Sequence, residues 1–107
     1  MKRILFVCGR NQARSPTAEN VFADYPGIEV ASAGTSADAD TLLTAELLEW
    51  ADIVFVMEKS HRKKLSARFR GSLRNARIVC LDIPDKFAFM DPGLVSLLES
   101  KVTPYLR

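Results

Sequence analysis

The sequence predicts an α/β domain, a three-layer doubly wound fold around a four-stranded parallel sheet. Three observations carry that expectation. Four short apolar or β-branched runs, at residues 3–8, 28–33, 52–57 and 77–83, alternate with segments of helical spacing, which is the element order of a βαβα chain. The first, third and fourth runs are nearly continuous in apolar residues, as strands covered on both faces are. The chain has 107 residues, a usual length for one domain, so a single domain over residues 1–107 is expected.

Taken in order, the first strand ends at Cys8 and is followed by a helix over 16–24, with Ala18, Val21 and Phe22 at spacings of three and four. The second strand, 28–33, precedes a helix over 44–50 in which Leu47, Leu48 and Trp50 face the core. After the third strand, residues 58–70 hold few apolar positions, chiefly Leu65 and Phe69, and predict a solvated helix ended by Gly71. The fourth strand, 77–83, leads to a last helix with Asp91 as N-cap and Pro92 in its first turn. Leu94, Leu98 and Val102 form its apolar stripe, and Pro104 stops it.

Composition narrows the function classes. Hydrophobic residues at 48% and charged residues at 26% exclude a disordered, collagen-like or disulfide-dense chain. The apolar stretch 53–57 is far short of the roughly 20 residues that span a bilayer, so no membrane segment is expected. Residues 4–7 are too few for the roughly 7 to 15 apolar residues of a signal-peptide core, which points to the cytoplasm. Cys8 and Cys80 are the only cysteines and are expected as free thiols, Cys80 as an inert small hydrophobe. With one histidine, His61, no zinc site is expected, and no other metal or cofactor is implied. His61 itself is expected on a solvated helix face. The net charge of +2 conceals an asymmetry: eight of the fifteen lysines and arginines fall between Lys59 and Arg77, with no acid from Lys59 to Leu81. Such a run is ordinarily a solvated face; its functional alternative is a surface for an anionic partner, nucleic acid not being expected.

In an open α/β sheet, ligands bind beyond the carboxyl ends of the strands, and the first strand ends in Cys8 followed by GRNQARSP. A loop made of Gly9, Arg10, Asn11, Gln12 and Ala13, leading through Arg14 and Ser15 to Pro16 at a helix start, converges backbone N–H groups and a positive helix end on one small space. That space suits a tetrahedral oxyanion. Gly9 and Asn11 tolerate the positive φ that an inward-curling loop requires. Arg14 has the planar fork that grips two oxygens of a phosphoryl group. The helix end, Arg14 and the Ser15 hydroxyl favour the nucleophilic thiolate of Cys8.

The C-x5-R-S-P string from Cys8 to Pro16 resembles the low-molecular-weight protein tyrosine phosphatases. Three further stretches resemble the same family in the same order: Ser32-Ala33-Gly34-Thr35, the strand from Ala51 to Met57, and Asp91-Pro92. The resemblance implies phosphomonoester hydrolysis, of protein phosphotyrosine above all, through a phosphocysteine intermediate, without metal. It implies Cys8 as nucleophile, Arg14 as phosphate ligand, Asn11 as loop clamp, Ser15 as thiolate stabiliser and Asp91 as general acid, with a phosphorylated protein or small phosphomonoester as partner. The chain departs from the family pattern by a short segment between Gly34 and Thr44, by Arg10 and Ala13 in the loop, and by Gly93 where an aromatic follows the Asp-Pro pair.

Other readings compete. Asp91 is fully explained as a helix cap, and Asp85 in the same loop is the rival acid. A phosphate- or anion-binding module without turnover would keep the loop and the basic helix. An arsenate reductase-like activity needs further cysteines near the nucleophile, and only Cys80 is on offer.

Overall fold

The computed structural model describes residues 1–73 and 75–106. Arg74 of the basic run and Arg107 lie outside the described residues. Four strands, β1 (Lys2–Cys8), β2 (Ile28–Gly34), β3 (Ile53–Val56) and β4 (Arg77–Cys80), form one sheet in the order β2-β1-β3-β4, every pair parallel. The helices are α1 (Arg14–Phe22), α2 (Ala45–Trp50), α3 (Lys59–Arg68) and α4 (Pro92–Val102), with short 3-10 turns at Arg70–Ser72 and Thr103–Tyr105.

Alternation along the strands divides the core in two. Ile4, Phe6, Ile53 and Phe55 point to one face, where Phe22 of α1 and Leu94, Leu98 and Val102 of α4 cover them. Leu5, Val7, Val54 and Val56 point to the other, under Leu48 of α2 and Leu65 of α3. Phe6 stacks between Phe22 and Phe55, with ring centroids 5.9 and 5.5 Å away. The three-layer, doubly wound expectation therefore holds. The chain winds from β1 outward to β2, then returns across β1 to β3, so strand order reverses between β1 and β3. A crevice opens at their carboxyl ends, the place where such folds bind ligands.

Some local expectations need correction. β4 is an edge strand and only half-buried, so its apolar run does not signal cover on both faces; Cys80 is partly exposed with it. Helix α3 ends at Arg68 because Phe69 leaves helical geometry at φ −130° and ψ 30°, and Gly71 sits inside the following 3-10 turn rather than terminating the helix. Leu47 and Trp50 are half-buried flanks of the second core cluster. The short segment after Gly34 is a turn, tied back by the bridge from Gly34 to Leu42, and holds no helix. No helix among the described residues is long and apolar enough to cross a membrane.

Candidate active site

Cys8 is the last residue of β1 and is buried. Its sulfur accepts a hydrogen bond from the Asn11 amide at 3.2 Å and lies 2.9 Å from the Ser15 hydroxyl. Ser15 already accepts from the Asn11 side-chain amide at 2.8 Å, and its own proton can go to Cys8 or, at 3.5 Å, to the Ala33 carbonyl. The Asn11 amide is thus a fixed donor to Cys8 Sγ, and the Ser15 hydroxyl is placed close enough to be a second.

Asn11 is the clamp of this loop. Its φ of 57° is in the left-handed region, which Asn tolerates better than most residues. Its side chain donates to Ser15 on α1 and, at 3.0 Å, to Ser32 on β2, and accepts from the Thr41 amide at 3.1 Å. Ser32 passes the chain on to Glu19 at 2.5 Å. Asn11 is buried with all three bonds made, the condition under which a buried polar network rigidifies its surroundings. Gly9 does not use the left-handed region, since Gly27 is the described glycine with positive φ. A Cβ at Gly9 would reach only ordinary contact, 3.8 Å from His61 Nε2. The glycine the loop depends on is Gly34, where a Cβ would stand 2.4 Å from the Gly9 carbonyl and 3.0 Å from the Asn11 amide. Arg10 and Gln12 are exposed on the outer side of the loop, Arg10 3.8 Å from Asp38 and Gln12 3.5 Å from Asp40. Ala13 is the uncapped start of α1.

Arg14 is buried, its side chain only 4% exposed. Nη1 donates to Glu58 at 2.6 Å and to the Ile83 carbonyl at 2.8 Å. These two anchors hold one end of the guanidinium and leave the Nε–Nη2 edge for a ligand; Asp85 lies against it, 3.7 Å from Nε, with its own side chain 73% exposed. Asp91 makes a different contact. Its carboxylate accepts from the Gly93 amide at 2.7 Å as the cap of α4, beside a Met90 whose amide is tied to Thr17. Among the described contacts Asp85, and not Asp91, meets the phosphate-loop arginine.

His61 is buried at 4% exposure, against the expectation of a solvated helix face. It belongs to a capping box at the start of α3, in which Nδ1 accepts from the Glu58 amide at 3.1 Å. In the neutral ring the proton therefore sits on Nε2, 3.8 Å from Glu58 Oε2. Burial and then the Arg14 charge lower its pKa below 6.5, with Lys64 adding to the effect and Glu58 and Asp85 opposing it. Burial raises the Cys80 thiol above 9.0. Glu58, His61 and Gly34 were not among the residues expected here, although Glu58 follows the carboxyl end of β3, the position that the switch-point rule singles out. Beside Glu58 a cleft of about 380 Å³ opens, lined also by Lys59, Ser60, Asp82, Ile83 and Pro84.

A sequence model of the low molecular weight phosphotyrosine protein phosphatases matches residues 3–49, the segment that builds this loop and its clamp. That match spans 47 of the 107 residues, in the amino-terminal part of the chain. The fold agrees: the YwlE arginine phosphatase from Geobacillus stearothermophilus superposes with a TM-score of 0.78 at 25% identity, over 99% of this chain and 93% of that one. The tyrosine phosphatase Wzb from Escherichia coli K30, in complex with phosphate, gives 0.78 at 22% identity over 97% and 95%. Vibrio vulnificus Wzb in complex with benzylphosphonate gives 0.78 at 25% over 97% and 96%. No curated protein sequence matches the chain.

Proposed function

We propose that this protein hydrolyses phosphomonoesters on protein side chains through a phosphocysteine at Cys8, with Asp85 rather than Asp91 as the proton donor. The observation that carries the proposal is the convergence on Cys8 Sγ of the Asn11 amide and the Ser15 hydroxyl, at the foot of a loop bordered by a fixed arginine. The Cys8 thiolate attacks phosphorus in line, forming the S–P bond as the P–O bond to the leaving group breaks. Arg14 and the loop amides hold the equatorial oxygens, where charge builds. Asp85 delivers its proton to the departing oxygen, then takes one from the water that attacks phosphorus and releases the thiolate. Its exposure lets it swing off Nε as phosphate enters. Phe87, half-buried two residues beyond Asp85, offers an apolar wall for a phenyl leaving group.

A second leaving group is favoured by one feature, the carboxylates of Glu58 and Asp82 on the adjoining cleft together with Asp85. Their charge suits a cationic guanidinium, and one structural relative is an arginine phosphatase. Parallel kcat/KM measurements on phosphotyrosine and phosphoarginine peptides separate the two.

The chemistry is tested by rapid mixing with para-nitrophenyl phosphate. A burst of one nitrophenolate per Cys8 is expected, together with alkylation of Cys8 by iodoacetate well ahead of Cys80, slowed by phosphate. Absence of turnover with a folded protein, or equal alkylation of both thiols, overturns the mechanism and leaves an anion-binding module.

A further inference from the structure

Helix α3 carries positive charge that the rest of the molecule does not answer. Lys59, Arg62, Lys63, Lys64 and Arg68 are all exposed on it, and among the described residues no carboxylate lies within ion-pair distance of any of them. Lys59 with Lys63, and Lys64 with Arg68, are like charges four residues apart, an arrangement that weakens a helix. Only His61 and Leu65 turn inward to hold it.

This charge adjoins the active site. The helix follows directly on Glu58, the partner of Arg14, and His61 in its first turn borders Gly9. Arg68 donates from Nη2 to the Thr35 carbonyl at 2.8 Å, and the Thr35 amide donates to the Cys8 carbonyl at 3.0 Å. One flank of α3, with Lys64 and Arg68, therefore faces the loop that backs the nucleophile. Lys64 is close enough to lower the His61 pKa.

We propose that α3 is a docking surface for an acidic segment of the substrate protein next to its phosphoresidue, an inference that rests on the phosphatase reading above. The dimensions fit: α3 is about 15 Å long at 1.5 Å per residue, matching about four or five residues of an extended peptide. A long polyanion fits less well. Asp38, Asp40, Glu58 and Asp85 surround the phosphate loop and repel phosphates that continue past the helix. No aromatic ring on α3 is free to stack on bases, since the neighbouring Phe69 is half-buried beneath the Arg68 guanidinium.

The test compares phosphotyrosine peptides flanked by glutamates or by glutamines, hydrolysed by the wild-type chain and by a triple variant, Arg62→Gln with Lys63→Gln and Lys64→Gln. For the wild type at low salt, kcat/KM favours the acidic peptide by about tenfold, carried by KM and reduced by salt. In the triple variant the preference falls below about twofold, as loss of several weak exposed pairs implies, while turnover of para-nitrophenyl phosphate stays unchanged. A wild type without acidic preference overturns the proposal, as does a folded triple variant that loses para-nitrophenyl phosphate turnover. An oligonucleotide of equal charge that competes as well as the acidic peptide also overturns it. If neither protein hydrolyses any phosphoester, the catalytic reading fails and docking is decided separately by anisotropy of a labelled, unphosphorylated acidic peptide. Binding to the wild type about tenfold tighter than to the variant then supports docking, and equal affinities overturn it.

Discussion

The two loops at the carboxyl edge of the sheet are built in opposite ways. Residues 9–13 are closed: Asn11 is buried, its side chain spends all its hydrogen bonds on α1, β2 and the 35–41 turn, and it sits beneath Gly34 with no room for a further carbon. Residues 82–90 are mostly exposed, anchored by Ile83 at one end and by the Met90 amide on Thr17 at the other. The difference matches the tasks proposed for the two loops. Holding a phosphoryl group calls for donors fixed before the substrate arrives, whereas a proton donor has to move aside as phosphate enters and return over the leaving group.

The sharpest test of the closed loop is its chemistry. Cys8→Ser is expected to stay folded and to lose turnover by more than roughly 10³-fold, as removal of a nucleophile does. Arg14→Lys should come close to it, because an ammonium cannot hold Glu58 and the Ile83 carbonyl while presenting a fork to phosphate. Its interior position makes a stability loss part of the expectation, since Arg14 is paired and almost wholly buried. Substantial turnover by a folded Cys8→Ser variant breaks the assignment of the closed loop to catalysis.

The open loop is tested by a pair of isosteric changes. Asp85→Asn should lower turnover by roughly 10²- to 10⁴-fold on esters with poor leaving groups and less on good ones. Asp91→Asn should leave turnover almost intact and cost well under ~1 kcal/mol of stability, because Asn caps a helix about as well as Asp. The reverse pattern, measured as leaving-group dependence of kcat/KM for both variants, returns the acid to Asp91.

These two loops also differ in how far they are legible in the sequence. The groups that meet the Cys8 sulfur, the Asn11 amide and the Ser15 hydroxyl, lie within seven residues of it, so a strand end, a short loop and a helix start suffice to place the proposed nucleophile, the clamp and the arginine. The proposed acid is different. Asp82, Asp85 and Asp91 fall within ten residues of one another, all plausible by type, and only the path of the chain after β4 brings Asp85 to Arg14. The Asp-Pro pair singles out Asp91, and one oxygen of that carboxylate caps its own helix, which leaves cap and acid undivided by residue type alone. The burial of His61 is hidden in the sequence because polar neighbours on both sides conceal that its position and that of Leu65, four apart, form the inward face of α3.

Between these effects in size stands Gly34→Ala. The added methyl meets backbone on one side and the Ala39 side chain on the other, and neither is the yielding end of a flexible chain. Overpacking of this kind costs about 1–3 kcal/mol. Because the pressure falls on the Gly9 carbonyl and the Asn11 amide, phosphate affinity and turnover should decline together, which phosphate titration and kinetics on the folded variant would check. Loss of stability with an unaltered phosphate affinity would mean that the loop is less rigidly closed than its hydrogen bonds imply.

The smallest effect concerns His61, which stands between the two loops and is held neutral. Its folded pKa lies below the ordinary 6.5 because burial and Arg14 disfavour the imidazolium. As pH falls through 6.5 the unfolded chain takes up a proton that the folded chain refuses, so stability is present in full above that value and declines below it until the folded pKa is reached. One such group gives a slope of at most about 1.4 kcal/mol per pH unit. His61→Asn removes the titration while leaving an acceptor at the third position of α3 for the Glu58 amide. Urea unfolding of both proteins between pH 7.5 and pH 5 should then show the wild type losing more stability than the variant as pH drops, the two curves running parallel above about pH 7. Curves that stay parallel to pH 5 would mean that the folded protein accepts the proton on His61, with Glu58 and Asp85 outweighing Arg14 and burial, and that the carboxylates of the open loop dominate the field over the crevice.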